Sequence, residues 1–205
     1  MYTLYYSPNA CSLATQVILN ELNQSVNIID KRAVTNFHQL SPTGAVPVLK
    51  DGEQVLLEGA AIVLHLLEKH RSTLYPSNKE QQVQAKQDIL FANATVHPAY
   101  SKLFFIAGAI TDEQAKEQAL TAATENLNKL WSIVEQRLQG QPFLGGSSYS
   151  AADIMLTIYS RWNQYFPTNI ILGEKTQQMI NKITSLDSFI QAVNNETTHS
   201  AAFAA

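Results

Sequence analysis

Residues 41–62, SPTGAVPVLKDGEQVLLEGAAI, carry the signals that decide the fold. Two apolar runs, at 46–50 and 54–57, predict strands, and the dipeptide Asp51-Gly52 between them is typical of a hairpin turn. Apolar residues then recur on one side of a helical run from 59 to 70. The stretch therefore predicts an antiparallel strand pair that leads directly into a helix.

The preceding residues predict an alternation of strands and helices that joins this hairpin. Residues 2–6, YTLYY, predict the first strand, and residues 11–22 place apolar side chains at helical spacing. Residues 26–29 predict the second strand, and residues 34–40 give a weak helical pattern. Because strand–helix alternation calls for parallel pairing, we expect the order βαβαββα and a mixed sheet with helices against both faces.

The pattern changes after residue 79, since strand signals do not recur. Helical runs are expected at 80–108, with a bend near Pro98, at 111–138, from Ser150 onward, and twice within 174–195. Ser150 and Asp153 have the spacing of a capping box, so Asp153 is interpreted as a structural residue. We therefore expect an α/β domain over residues 1–78 and an all-α domain over residues 79–205.

Composition excludes several classes of protein. The chain has 205 residues, 45% of them apolar, and a formal net charge of −3, which argues against disorder and against a basic nucleic-acid-binding protein. The single cysteine excludes an intrachain disulfide or a zinc site of several cysteines, and the histidine spacing indicates no metal site. A signal peptide and an apolar run of membrane-spanning length are not expected, so the predicted location is cytoplasmic.

Cys11 is the first candidate for chemistry. It follows a strand and a proline-containing turn and stands at the start of a helix, where backbone N–H groups and the helix dipole favour a thiolate. The alternative is a small buried apolar side chain. Ser12 offers a hydroxyl that could donate to such a thiolate, and its alternative is an ordinary residue of the first helical turn.

Two further motifs point to a ligand. If the Val46-Pro47 bond is cis, the backbone of Val46 faces outward and is free to pair with an extended peptide. The alternative is a trans bond, which is the commoner form, because only about 5–6% of such bonds are cis. Gly59 begins a helix whose free N–H groups suit a carboxylate, and Glu58 suits an ammonium group. The alternative for Glu58 is simple stabilisation of the helix N-terminus.

In order and spacing, these motifs together resemble the glutathione transferases over essentially the whole chain. Residues 6–14, YSPNACSLA, are similar to the N-terminal motif of the bacterial beta class, and residues 41–49, 58–62, 150–153 and 161–162 match in turn. The resemblance implies a thioredoxin-like domain followed by an all-α domain. It also implies a cytoplasmic, homodimeric detoxification enzyme that joins reduced glutathione, as co-substrate, to apolar electrophiles without a permanently bound cofactor.

The resemblance also assigns the glutathione-binding residues. Val46, with Pro47 cis, would pair with the cysteinyl part of glutathione. Glu58 and Gly59 would hold the γ-glutamyl end, and Lys31 would reach the glycyl carboxylate. Many relatives carry serine where this chain has Gly59, so a side-chain hydroxyl contact is lost here while the backbone N–H remains.

The catalytic residues implied by the resemblance are Cys11, His97, Ser12 and Tyr6. Cys11 would lie beside the glutathione sulfur and could form a mixed disulfide, and Tyr6 would line the site. His97 would face the thiol from the helical domain and bind glutathione. The acidic and basic residues that often flank this histidine are replaced here by Thr95 and Pro98. Thr95 or Asn93 is therefore the candidate to complete the γ-glutamyl site.

Two other functions remain open from the residues. Cys11 could carry out glutathione-dependent thiol–disulfide exchange, which would have to be monothiol chemistry because there is no second cysteine. A non-catalytic binding or regulatory module of the same fold is the other alternative. The aromatic residues of the helical part, Phe104, Phe105, Trp162 and Tyr165, are core residues by default, and one or two of them could line an apolar cleft for the electrophile.

Overall fold

The computed structural model describes residues 1–201 of the chain. These residues form two compact units. The first contains residues 1–82 together with the C-terminal segment from Thr184, and the second contains residues 83–183. By its contacts, the last helix therefore belongs with the N-terminal sheet.

The first unit is built on a four-stranded mixed sheet with the strand order β2-β1-β3-β4. Strands β1 and β2 are parallel, whereas β1–β3 and β3–β4 are antiparallel, which confirms the predicted mixed pairing. The strands are β1 (Tyr2–Tyr6), β2 (Val26–Asp30), β3 (Val48–Asp51) and β4 (Gln54–Leu56), and the helices are α1 (Ser12–Glu21), α2 (Gly59–Lys69) and the C-terminal α8 (Asp187–Ala201).

One predicted element is wrong. The weak helical pattern at 34–40 corresponds to no α-helix, only to two 3₁₀ turns at Lys31–Ala33 and Phe37–Gln39. Asn36 lies between them with φ +61°, a left-handed conformation that a right-handed helix cannot contain. Phe37 instead packs with Tyr5 and Val48 on one face of the sheet, so this face is covered by a loop rather than by a helix.

The other face of the sheet is the helical one. Leu4 and Leu49, paired across β1 and β3, are fully buried, and helix α1 contacts β1, α2 and α8. Residues Ser12–Leu19 of α1 are buried along their whole length, including polar Ser12 and Gln16. Helix α1 is therefore enclosed from several sides, which explains why its polar residues need partners within the protein.

The second unit is helical, as predicted. It contains most of α3 (Lys79–Phe91), then α4 (His97–Ala109), α5 (Glu113–Arg137), α6 (Ala151–Ser160) and α7 (Glu174–Thr184). The long helical run expected at 80–108 is interrupted by a π-helical turn, Ala92–Val96. Helix α4 begins directly after this turn, with His97 and Pro98 as its first two residues. None of the described helices is long and apolar enough to cross a membrane.

The capping box at α6 is confirmed. The Ser150 hydroxyl accepts the N–H of Asp153, and the Asp153 carboxylate accepts the N–H of Ser150 at 2.8 Å. The same carboxylate also accepts the backbone N–H groups of Leu144 and Gly145, at 2.8 and 3.3 Å. Asp153 therefore holds the loop before α6 as well as the helix start.

Candidate active site

The sheet register brings the candidate residues of the first unit to one edge. Tyr6 pairs with Asp30, Tyr5 with Val48, and Leu49 with Leu56. When these registers are continued by one or two residues, Pro47 and Glu58 lie at the same height along the strands. The segments that begin at Ser7 and Lys31 also start at this end of the sheet. Four separate motifs thus converge on one edge of the sheet because each directly follows or precedes a strand.

Cys11 and the proline turn are in direct contact at this edge. The Val46-Pro47 peptide bond is cis, as the resemblance implied. Cys11 stands just before the first residue of α1, and its Sγ donates to the backbone carbonyl of Val46 at 3.3 Å. The thiol therefore occupies the acceptor that was expected to bind an extended peptide.

The sequence left a thiolate and a small buried side chain open for Cys11, and burial favours the protonated thiol. Burial raises the pKa of the thiol to about 11, and this effect exceeds the lowering by hydrogen bonds from the backbone N–H groups of Cys11 and Ser12. Ser12 is fully buried, and its hydroxyl donates to the carbonyl of Ser7 and accepts the N–H of Ser7, each at 3.4 Å. Ser12 therefore braces the loop before the cysteine, and Cys11 is a protonated hydrogen-bond donor at neutral pH.

We expect Cys11 to react slowly with iodoacetamide. A pKa of about 11 leaves about one thiol in 10,000 ionised at pH 7, and only the thiolate reacts appreciably. The rate should rise about tenfold per pH unit below the pKa. Adduct mass measures the rate without interference from other thiols, because the sequence has one cysteine. A rate that levels off near the ordinary thiol pKa, about 8.5, would contradict the assignment.

Lys31 and Tyr6 also lie at this edge. The ammonium of Lys31 donates to the carbonyl of Gly44 at 3.2 Å, two residues before Val46, so its positive charge is held at the proline turn. Tyr6 is fully buried at the end of β1. The structure thus brings Lys31 to the turn and places Tyr6 beneath the surface of this edge.

Glu58 has an unusual backbone conformation. It precedes the first residue of α2 with φ +68° and ψ +112°, a combination that a residue with a Cβ rarely adopts and that costs about 1–3 kcal/mol. Its side chain is exposed and forms no capping hydrogen bond. Among residues 1–201, no described side chain pairs with this carboxylate. The strained backbone therefore presents a carboxylate beside the N–H groups at the start of α2, where both charges of an amino-acid end could bind.

Glu196 is a residue that sequence reasoning missed. It lies on α8 and is 5% exposed, and one carboxylate oxygen accepts the backbone N–H of Asn9 at 3.1 Å. The other accepts the side-chain N–H of buried Gln16 at 2.9 Å. The helical pattern of α1 places Gln16 away from its apolar side and predicts it to be exposed, so nothing in the sequence points to Glu196 as a buried partner.

In the second unit, His97 lies in an aromatic environment. Its ring meets those of Tyr159 and Trp162 edge-to-face, with centroids 5.2 and 5.3 Å apart. Burial lowers the pKa of His97, so the imidazole is neutral at pH 7 and can accept a proton. The π-helical turn directly before it contains half-buried Asn93 and exposed Thr95, and such turns frequently occur at functional sites.

The aromatic residues of this unit divide by exposure. Trp162 is buried and belongs to the core, as the default interpretation predicted. Phe104, Phe105 and Tyr165 are 42%, 71% and 47% exposed, so these three can contact a ligand. Within residues 1–201, no three histidine, cysteine, aspartate or glutamate side chains come together in a way that could hold a metal ion.

The fold and the site define a thioredoxin-like unit with a cis-proline turn, followed by a helical unit. The family description "Glutathione S-transferase, N-terminal domain" matches residues 1–74, and "Glutathione S-transferase, C-terminal domain" matches residues 96–194. The two together span most of the chain. The chain belongs to the glutathione S-transferase family and is a transferase enzyme.

Similar proteins agree with this assignment. Glutathione S-transferase GST-4.5 of Xanthomonas campestris pv. campestris is 26% identical over 194 residues, covering 92% of this chain and 90% of that protein. A sphingomonad glutathione S-transferase complexed with glutathione shares the fold with a TM-score of 0.82 and 24% identity, over 95% of this chain and 98% of the other. The bacterial beta-class glutathione S-transferase of Sphingomonas chungbukensis shares the fold with a TM-score of 0.81 and 23% identity, over 95% of this chain and 98% of the other.

Proposed function

We propose that this transferase joins reduced glutathione to small apolar electrophiles, with glutathione bound at the sheet edge of the first unit. The observation that carries the proposal is the convergence of the cis Val46-Pro47 turn, Lys31 and the strained Glu58 at that edge. The three parts of glutathione need these three features: backbone hydrogen bonds for the cysteinyl part, a cation for the glycyl carboxylate, and a carboxylate beside helix N–H groups for the γ-glutamyl end. Gly59 supplies one of these N–H groups.

The proposed chemistry uses Cys11 as a donor. When the cysteinyl N–H of glutathione takes the Val46 carbonyl, the Cys11 thiol is released to donate to the glutathione sulfur, and this favours the glutathione thiolate. That thiolate forms the new carbon–sulfur bond while the leaving group departs with its electron pair. Neutral His97 is proposed to accept the glutathione proton, and binding holds the reactants together. Ser12 supports the loop before Cys11, and Tyr6 lies buried at the end of β1. Asn93 or Thr95 is proposed to complete the γ-glutamyl site.

Calorimetric titration tests the proposal directly. We expect reduced glutathione to release heat on binding and the protein to be retained on immobilised glutathione. Conjugation of 1-chloro-2,4-dinitrobenzene should follow, and Cys11→Ala should lower its kcat by no more than about tenfold, because a single weak hydrogen bond is lost. Absence of both binding heat and retention would refute the proposal.

Thiol–disulfide exchange at Cys11 is the second candidate, favoured by the position of the thiol at the proline turn. Its protonated state opposes it, because the thiolate is the attacking species in exchange. Mass spectrometry after treatment with oxidised glutathione measures the mixed disulfide. Rapid formation at pH 7, together with disulfide reduction lost in Cys11→Ala, would establish exchange.

The assembly and cellular role are further parts of the proposal. We propose a cytoplasmic homodimer that acts in detoxification, with residues 1–78 binding glutathione and residues 79–205 lining the electrophile site and the dimer interface. Exposed Phe104, Phe105 and Tyr165 are the candidates to contact the electrophile. Light scattering measures the mass in solution, and a monomer would contradict the dimer.

A further inference from the structure

A buried carboxylate connects the last helix to the loop before Cys11. Glu196 on α8 is 5% exposed, and each of its oxygens accepts an N–H group, from the backbone of Asn9 and from the side chain of Gln16. Each carboxylate oxygen therefore has its own N–H donor, and hydrogen bonds to a carboxylate are among the stronger ones in proteins. Gln16 gives its N–H to Glu196 even though its own Oε1 is buried without a hydrogen-bond partner among the described residues.

The backbone contact falls where the loop is most constrained. Asn9 has φ +58°, a left-handed conformation, and lies two residues before Cys11. The N–H of Ala10 bonds to the carbonyl of Ser7, so residues 7–10 form a tight turn. Anchoring the Asn9 N–H from α8 therefore sets the direction in which the chain enters α1, and with it the position of Cys11.

The charge of Glu196 also acts on the thiol. Burial is the main cause of the raised pKa of Cys11, and the negative charge of Glu196 raises it further. On the proline turn, the cation of Lys31 bonds to the carbonyl of Gly44. His199, one turn along α8, bonds to the backbone carbonyl of Asn195.

We propose that Glu196 is a positioning residue for the Cys11 loop: its carboxylate holds the backbone N–H of Asn9 and so sets the position and the reactivity of the Cys11 thiol. A helix remote in sequence thereby sets the reactivity of a residue in the glutathione site. The link to catalysis rests on the proposed function, whereas the effect on Cys11 does not require glutathione.

Alkylation of ligand-free protein tests this inference. At pH 8.5 we expect Glu196→Gln to react with iodoacetamide about three- to tenfold faster than the unaltered chain, because removal of a nearby buried charge favours the thiolate. Glu53→Gln, which makes the same charge change in the exposed β3–β4 turn, should leave the rate unchanged. Each variant is labelled well below its own melting temperature so that unfolding does not expose the thiol.

A conservative variant separates charge from packing. Glu196→Asp keeps the negative charge, and its rate of reaction with iodoacetamide should be within about twofold of that of the unaltered chain. This variant can also be measured if Glu196→Gln does not fold. Equal rates for Glu196→Gln, Glu53→Gln and the unaltered chain would overturn the inference. An Asp variant that reacts as fast as the Gln variant would instead assign the effect to the hold on Asn9, which the shorter side chain loses, rather than to the charge. Failure of glutathione titration with normal alkylation behaviour would overturn the proposed function alone.

Discussion

Replacement of Asp153 by alanine is expected to lower the free energy of unfolding by about 3–5 kcal/mol, and the melting temperature by about 10 °C. The buried carboxylate accepts the N–H groups of Leu144, Gly145 and Ser150 and the Ser150 hydroxyl, at 2.7–3.3 Å. Alanine leaves the buried donors of Leu144 and Ser150 without their acceptor, and each unsatisfied buried group costs about 1–3 kcal/mol. Loss of a helix cap alone would cost only about 1 kcal/mol.

Asp112 provides the matched control. It caps α5 in the same way, accepting the N–H of Ala115 at 2.8 Å, but it is exposed and holds no loop. Asp112→Ala should therefore cost only about 1 kcal/mol. Urea and thermal unfolding measure both variants. Equal losses for the two would contradict the wider role of Asp153, and normal unfolding of Asp153→Ala with lost activity would indicate a catalytic role instead.

Replacement of Glu58 is expected to separate binding from stability. Glu58→Gln should weaken glutathione binding by about 10- to 100-fold, since a hydrogen bond to a charged group contributes about 1.5–3 kcal/mol. The exposed side chain has no capping role, so the melting temperature should stay the same. Glu58→Gly should bind as weakly and yet be about 1 kcal/mol more stable, because glycine adopts φ +68° without a steric cost.

Calorimetric titration and thermal unfolding measure the two effects on the same samples. Glu53→Gln, at the exposed β3–β4 turn, is the control and should change neither quantity. Unchanged affinity in Glu58→Gln would remove Glu58 from the glutathione site. A less stable Glu58→Gly would show that the conformation of residue 58 is not strained.

Local patterns were enough to predict much of the fold. Asp51-Gly52 between two apolar runs identified the β3–β4 hairpin, and Ser150 with Asp153 identified the start of α6. These signals succeed because turn and cap geometry depend on neighbouring residues. The pattern at 34–40 failed because the left-handed Asn36 divides it, and single-residue conformations of this kind are only weakly encoded in periodicity.

The sequence singled out several of the residues that lie together at the candidate site, and their role in binding stays a prediction. Cys11, Val46, Lys31 and Glu58 lie at one edge of the sheet because each is near a strand end, and the observed order β2-β1-β3-β4 places those strands side by side. The helix start at Cys11 favoured a thiolate, and a small buried side chain was the alternative. Burial favours the protonated thiol, since the solvation lost by a charged sulfur outweighs the hydrogen bonds at the helix start.

By itself, the sequence determined the mixed sheet, the helical second part and the family, because turns, caps and apolar periodicity act over a few residues. Only the tertiary structure decided the protonation state of Cys11. That state depends on burial and on the charge of Glu196, whose hydrogen bond to Asn9 spans 187 residues of the chain. A pKa reports the electric field and solvent access at one atom, and both are set by groups that only folding brings together.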